Sequence, residues 1–240
     1  MYKNYIFDLY GTLVNIHTNE HENSAWEKMS ETLRFYGVDY TPSELSEAYF
    51  SSCELQVRLG KDLHKYPEVD VVEVFRHIFE NKGKKASKSL ATHLAQQFRA
   101  FSTDYIGLYD GVLETLTKFK KAGKRMYILA NAQACFAKTE LSKLGLRKFF
   151  KGIVYSSDYK CRKPDVELYN LLADKYKLDK KESICIGNEV ATDVDGARNA
   201  KIDCLWIKTN LTQANTTKFA PKYTISDGNF TEVTKLLAKK

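Results

Sequence analysis

Short apolar runs, each closing on polar or turn residues, recur along the chain: YIFDLY (5–10), RMYILAN (125–131), GIVYSSD (152–158), SICIGN (183–188), CLWIKT (204–209) and the weaker KYTISD (222–227). Apolar residues at consecutive rather than alternate positions predict strands buried on both faces of a sheet. Between these runs the period changes to that of a helix. GVLETLTKFKKAGK (111–124) carries apolar residues at 112, 113, 116 and 119 and ends at Gly123, and CFAKTELSKLGL (135–146) and DVELYNLLADKYKL (165–178) behave alike. Strands that alternate with amphipathic helices predict an α/β fold, a doubly wound parallel sheet.

The first strand breaks the rhythm. From residue 16 to about 105 there is no convincing buried strand, only helical patterns at 19–36, 42–60, 68–82 and 87–103, with Thr41-Pro42 and Tyr66-Pro67 as punctuation of the second and third. A segment this long with its own amphipathic faces is no mere connection. The expected organisation is therefore a core of residues 1–15 and 106–240 with an inserted all-helical domain at 16–105.

Composition narrows the function classes. The chain has 240 residues, 43% of them hydrophobic, enough for a sizeable core. No run approaches the roughly 18 apolar residues of a membrane span, and MYKNYIF leads straight into a strand pattern without a secretory leader, so a cytoplasmic location is expected. The net charge is +7, but the lysines are spread out and the densest runs, NKGKK (81–85) and LAKK (237–240), are short. A solvated surface, with no nucleic-acid partner and a preference for anionic small molecules, is the expected reading. The five cysteines (Cys53, Cys135, Cys161, Cys185 and Cys204) form no CxxC pair and are expected to be reduced and mostly buried. Cys135, early in a helical pattern, is where a thiol pKa is expected to fall.

In doubly wound sheets, ligands bind beyond the C-terminal ends of the strands. Asp8 ends the first strand and Asn131 ends the run at 125–131. SSDYKCRKPD, after the run at 152–158, brings Lys163, and GNEVATD, after the run at 183–188, brings Glu189 and Asp193. Each has a bland reading alone: a strand-end Asp caps a turn, a lysine is solvated, and two acids four apart complement a helix dipole. Three acids, a lysine and an amide on one rim have a stronger one, a catalytic site.

In order and spacing these segments resemble the motifs of the haloacid dehalogenase-like superfamily of hydrolases. FDLYGTLV is similar to its first motif, DxDGT; YILAN to its second, which ends in Ser or Thr and then Asn; RKPD to its third; and IGNEVATDVDGARNA to its fourth, an acidic pair spaced by four. The resemblance spans nearly the whole chain. It implies a Rossmann-like core with the helical insert as cap. It also implies Asp8 as nucleophile, Lys163 as charge balance, and Gly11, Thr12 and Asn131 as phosphate-binding residues. The cofactor it implies is Mg²⁺, held by Asp8, the backbone carbonyl of Tyr10, Glu189 and Asp193. The implied reaction is hydrolysis of a small phosphorylated metabolite through an aspartyl-phosphate.

The chain departs from the family pattern in three places. Tyr10 stands where most family phosphatases carry an acid/base Asp; with an ordinary pKa of ~10, a tyrosine is a poor base at neutral pH. Ala130 replaces the usual hydroxyl of the second motif, and Glu189 replaces an Asp. Tyr10 also resembles the family's 2-haloacid dehalogenases, whose departing halide needs no proton and which work without metal. That alternative requires a cap arginine for the substrate carboxylate, for which Arg58 is a candidate, and it leaves Glu189 unexplained. A third alternative is a weakly active or non-catalytic protein that binds a phosphorylated ligand.

Overall fold

The structure, a computed structural model, describes residues 2–214 and 219–238. The strands are β1 (Asn4–Phe7), β2 (Val14–Thr18), β3 (Thr103–Leu108), β4 (Arg125–Ala130), β5 (Gly152–Tyr155), β6 (Ser183–Gly187), β7 (Asp203–Ile207) and β8 (Tyr223–Ile225). The helices are α1 (Asn23–Phe35), α2 (Pro42–Gly60), α3 (Val71–Glu80), α4 (Lys88–Phe101), α5 (Val112–Lys121), α6 (Ala134–Lys143), α7 (Val166–Tyr176), α8 (Asp195–Asn199) and α9 (Phe230–Ala238).

Six strands form one parallel sheet in the order β5-β4-β1-β6-β7-β8, with β1 between β4 and β6. Alternation along β1 shows why its apolar run is unbroken. Tyr5 and Phe7 point to one face, among Phe119, Phe150 and Phe230, while Ile6 points to the other, among Leu168, Tyr169 and Leu172. Helices α5 and α9 cover the first face, and α7 and α8 the second. All six expected strands are present, and their C-terminal ends place the residues after them on one rim.

The helices α1–α4 share a second core, centred on Trp26, Leu33, Tyr49, Phe75 and Phe98 and closed by Phe136 of α6. Three of the four starts have a side-chain cap. Thr41 caps α2 with a full capping box to Glu44, and Asp70 and Ser87 cap α3 and α4 through their side chains.

The structure adds an antiparallel ribbon, β2 with β3, pairing Val14 with Leu108 and Ile16 with Ile106 at the two points where the chain enters and leaves the helices. The sequence reading placed a boundary inside each of these strands, at 15/16 and 105/106. Both are short and half-exposed, and neither has the apolar run that marks the buried sheet. Helix α9 also lay outside that reading.

Candidate active site

Asp8 is the first residue beyond β1. Its amide donates to the Ile186 carbonyl at 2.9 Å, which continues the β1–β6 ladder and fixes where the carboxylate emerges. The chain then turns through Gly11, which has φ +85°, in the left-handed region that favours glycine. A Cβ there would also lie 2.5 Å from the Asn188 amide group, so close approach and backbone both require glycine. The turn delivers the Thr12 hydroxyl, 2.9 Å from Asp8 Oδ2 and 3.2 Å from Asn188 Oδ1.

Lys163 lies opposite. Its ammonium donates to Asp8 Oδ1 at 2.7 Å and Asp193 Oδ1 at 2.6 Å, with the side chain 2% exposed and that of Asp8 11%. Burial opposes its charge, but the Asp193 and Asp8 carboxylates outweigh burial and hold the ammonium protonated well above the usual lysine range. The backbone of Lys163 is fixed from β4: its N–H donates to Asn131 Oδ1 at 2.7 Å, and Asn131 Nδ2 donates to its carbonyl at 3.1 Å. Asn131 thus positions the lysine.

Asp193 closes a π-type turn, Val190–Val194, that follows Glu189. Its second oxygen accepts from the Glu189 amide at 3.0 Å, so both oxygens are partnered. Gly187 makes this possible, since a Cβ there would lie 2.3 Å from the Asp193 carboxyl carbon. Burial raises the Asp193 pKa to about 6, with the Asp8 charge adding to the rise and Lys163 opposing it. Glu189 is half-buried; its Oε1 accepts from the Gln213 amide at 2.8 Å, and burial, with the Asp8 charge, raises its pKa.

Asp8, Tyr10, Gly11, Thr12, Asn131, Lys163, Glu189 and Asp193 therefore gather at one end of the sheet. With the three acids ionised, this group holds two negative charges beyond its single cation. A hard divalent ion bound through oxygen atoms fits such a set. Asp8, the Tyr10 carbonyl and Glu189 are the oxygens that would supply it; Asp193, with both oxygens partnered and its side chain 5% exposed, is more enclosed than Asp8. Ala130, lacking the second-motif hydroxyl, is buried in the core.

Three residues not singled out in the sequence belong here. Asn188, fully buried beyond β6, faces Thr12, and its carbonyl accepts from Trp206 Nε1 at 2.8 Å. Its only sequence signal is being the first residue after that strand. The other two surround Tyr10. The Tyr10 hydroxyl donates to Glu140 Oε2 in α6. The Arg99 guanidinium of α4 lies 5.3 Å from the centre of the Tyr10 ring and donates to Glu140 Oε1 at 2.9 Å. Burial and the Glu140 charge push the Tyr10 hydroxyl above the usual tyrosine range, so it stays protonated and is no base. A cleft of about 460 Å³ opens beside Arg99 and Glu140, lined also by Thr103, Ile106, Phe136 and Thr139.

Two expectations change. Arg58, the candidate carboxylate grip, is exposed on α2, whereas the arginine that stands at Tyr10 is Arg99. Cys135 does lie in the first turn of α6, but burial, reinforced by Asp70, pushes its thiol up to about 11 rather than down. All five cysteines are free thiols, and Cys161, Cys185 and Cys204 are buried. Among the described residues no helix is long and apolar enough to cross a membrane.

Comparison with known proteins adds four findings. Residues 2–201 match the model of a family of hydrolases described as haloacid dehalogenase-like. A phosphoglycolate phosphatase of Agrobacterium fabrum is 29% identical over 238 residues, covering 98% of this chain and 92% of its own. Among solved structures, a 2-haloacid dehalogenase of Pseudomonas syringae superposes with a TM-score of 0.69 at 19% identity, covering 100% and 99% of the two chains. A HAD-hydrolase of Bacillus subtilis bound to magnesium does so with a TM-score of 0.58 at 19% identity, covering 99% of each. At these identities the two structures speak to the fold alone.

Proposed function

The chain belongs to the haloacid dehalogenase-like hydrolase family, and from that premise we propose that it is a magnesium-dependent phosphatase of a small phosphorylated metabolite. The observation that carries this reading is the charge of the site. Lys163 already balances one carboxylate, and Glu189, beside the Asp8–Asp193 pair, adds a negative charge that a metal-free displacement would not need. The phosphoglycolate phosphatase among its relatives supports the same class of substrate. Free thiols throughout agree with a reducing, cytoplasmic setting.

In this mechanism Asp8 attacks phosphorus to form an aspartyl-phosphate as the ester P–O bond breaks and the alcohol or phenol departs; water then attacks the aspartyl-phosphate, which releases inorganic phosphate and restores the Asp8 carboxylate. Lys163 pairs with the nucleophile carboxylate at 2.7 Å and faces the charge that develops on the transferring group. Asp193 and Asn131 orient Lys163, and Thr12 orients Asp8. Magnesium, held by Asp8, the Tyr10 carbonyl and Glu189, would neutralise charge shared between the carboxylate and the phosphoryl oxygens. With Asp8 only 11% exposed, the helical insert at 16–105 acts as a cap that swings aside for substrate and then excludes water.

The test is hydrolysis of an aryl phosphate with and without magnesium. Turnover is expected with magnesium and is expected to stop in EDTA. A second reading, metal-free displacement of halide from a 2-haloacid, is favoured by one observation: Arg99 beside Tyr10 could grip a substrate carboxylate. Chloride release from 2-chloropropionate in EDTA, without phosphatase activity, would establish that reading and overturn ours.

Tyr10 sets a further expectation. Its proton is held by Glu140, so leaving-group protonation is poorly served, and aryl phosphates should be cleaved faster than alkyl phosphates. Tyr10→Asp should raise kcat on an alkyl phosphate selectively, by about tenfold or more out of the roughly 10²–10⁴-fold available to general acid catalysis. Paired kcat/KM values on one aryl and one alkyl ester check this. Equal wild-type rates with no selective gain would mean that another group supplies the proton.

A further inference from the structure

Away from the carboxylate rim, three metal-ligating side chains of different chemistry meet where the helical insert touches the core. His64 ends the turn after α2, with its amide bonded to the Gly60 carbonyl at 2.9 Å. Cys161 lies in the segment after β5, and Glu167 in the first turn of α7, whose start is capped by Asp165. One donor atom from each lies within 4.8 Å of the other two, and among the described residues no other trio of His, Cys, Asp or Glu does this. We propose that Cys161, His64 and Glu167 form a binding site for a zinc-like divalent transition metal, separate from the hydrolytic centre.

The donor set selects the ion. A thiolate, an imidazole and a carboxylate suit zinc, whereas magnesium and calcium take oxygen ligands and avoid sulfur. The spacing agrees. His64 Nδ1 and Glu167 Oε2 are 3.3 Å apart, close to the edge of about 3.3–3.8 Å between ligand atoms of a tetrahedral zinc. Three protein ligands leave the fourth position to water. Cys161 forms the buried floor, His64 is largely covered and Glu167 lies at the solvent side, so an ion can enter past the glutamate.

The backbone holds these ligands in place. The Glu68 amide donates to the Lys160 carbonyl at 2.8 Å and the Arg162 amide to the Tyr66 carbonyl at 2.9 Å, clamping the segment after His64 against both neighbours of Cys161. Burial keeps the Cys161 thiol protonated, its pKa pushed up to about 11. Binding therefore replaces S–H by a metal–sulfur bond and releases the proton to water. The bland alternative is a surface His–Glu contact above a core cysteine, which would bind nothing. An ion here would pin the helical insert to the segment that carries Lys163, two residues beyond Cys161.

Cobalt(II) titrated into the metal-stripped full chain, in magnesium buffer, separates the two. We expect one equivalent to bind with a thiolate-to-cobalt charge-transfer band in the near ultraviolet, displaced by zinc. Cys161→Ser should lose the band. His64→Ala, in the turn after α2 and outside the hydrolytic machinery, should weaken cobalt binding at least about tenfold while its circular dichroism stays that of the wild type. No thiolate band in the wild type, a band that survives in Cys161→Ser, or undiminished affinity in a folded His64→Ala protein would each overturn the site. None of these readouts depends on phosphatase activity.

Discussion

Asp8→Asn is expected to lower turnover of any phosphate ester by on the order of 10⁴-fold or more while the chain still folds. An amide oxygen cannot form the acyl-phosphate, yet it is isosteric with the carboxylate. The Asp8 amide bond to the Ile186 carbonyl that anchors the position does not involve the side chain. The variant should also shift stability with pH. Burial and the Asp8 charge raise the Asp193 pKa from 3.8 to about 6. An acid whose folded pKa is raised binds more protons in the native state between those values. Stability is therefore lost as pH rises from about 4 through about 6. Removing the Asp8 charge removes one cause of the rise, so less is lost across that window. Relative to wild type, Asp8→Asn should thus gain stability as pH goes from 4 to 7, as read by urea unfolding at several pH values. A constant difference would mean that the two carboxylates do not interact, and wild-type turnover in a folded variant would remove Asp8 as nucleophile.

The parts of the fold that were legible in the sequence are those with one dominant environment. β1, β4 and β6 are buried on both faces, so their apolar runs are continuous and could be read without knowing their neighbours. The β2–β3 ribbon has one partner and little cover. Asn15 and His17 alternate with Val14 and Ile16 over too few positions to stand out from loop. α9 places Phe230, Val233 and Leu237 against the sheet, but the helix is short and follows a weak strand.

The site divides in the same way. Asp8, Asn131, Lys163, Glu189 and Asp193 are legible because topology brings every residue after a parallel strand to one rim. Arg99 and Glu140 are not, because they meet only where α4 of the insert packs on α6 of the core, and no local pattern links positions 99 and 140. Asn188 and Glu189 show a finer limit. Both follow β6, and Glu189 carries the charge that draws notice, but the pleat of the strand end turns Asn188 toward Thr12 and leaves Glu189 against the Gln213 amide. Substrate choice falls in the illegible part, since it depends on insert residues that follow no motif.

Lys163→Met should be the most damaging change to activity and stability together. The ammonium stands between two buried carboxylates, 2.7 Å from Asp8 and 2.6 Å from Asp193. Methionine fills much the same volume without charge, so the loss is electrostatic rather than a cavity. Breaking a buried ion pair by removing one partner leaves uncompensated charge and costs about 3–5 kcal/mol. The lysine also faces the charge that develops on the transferring group, and losing one such preorganised group lowers kcat by roughly 10²–10³-fold. The pH dependence separates this account from simple misfolding. Without the ammonium, the largest influence lowering the Asp193 pKa is gone, and its folded pKa rises further above the unfolded value. The stability deficit should therefore be largest at neutral pH and shrink as the pH falls and the carboxylate takes up its proton. Urea midpoints at pH 5 and pH 7.5 measure the difference. A deficit of the same size at both would mean that the lysine contributes packing alone, and that the charge balance assigned to this site lies elsewhere.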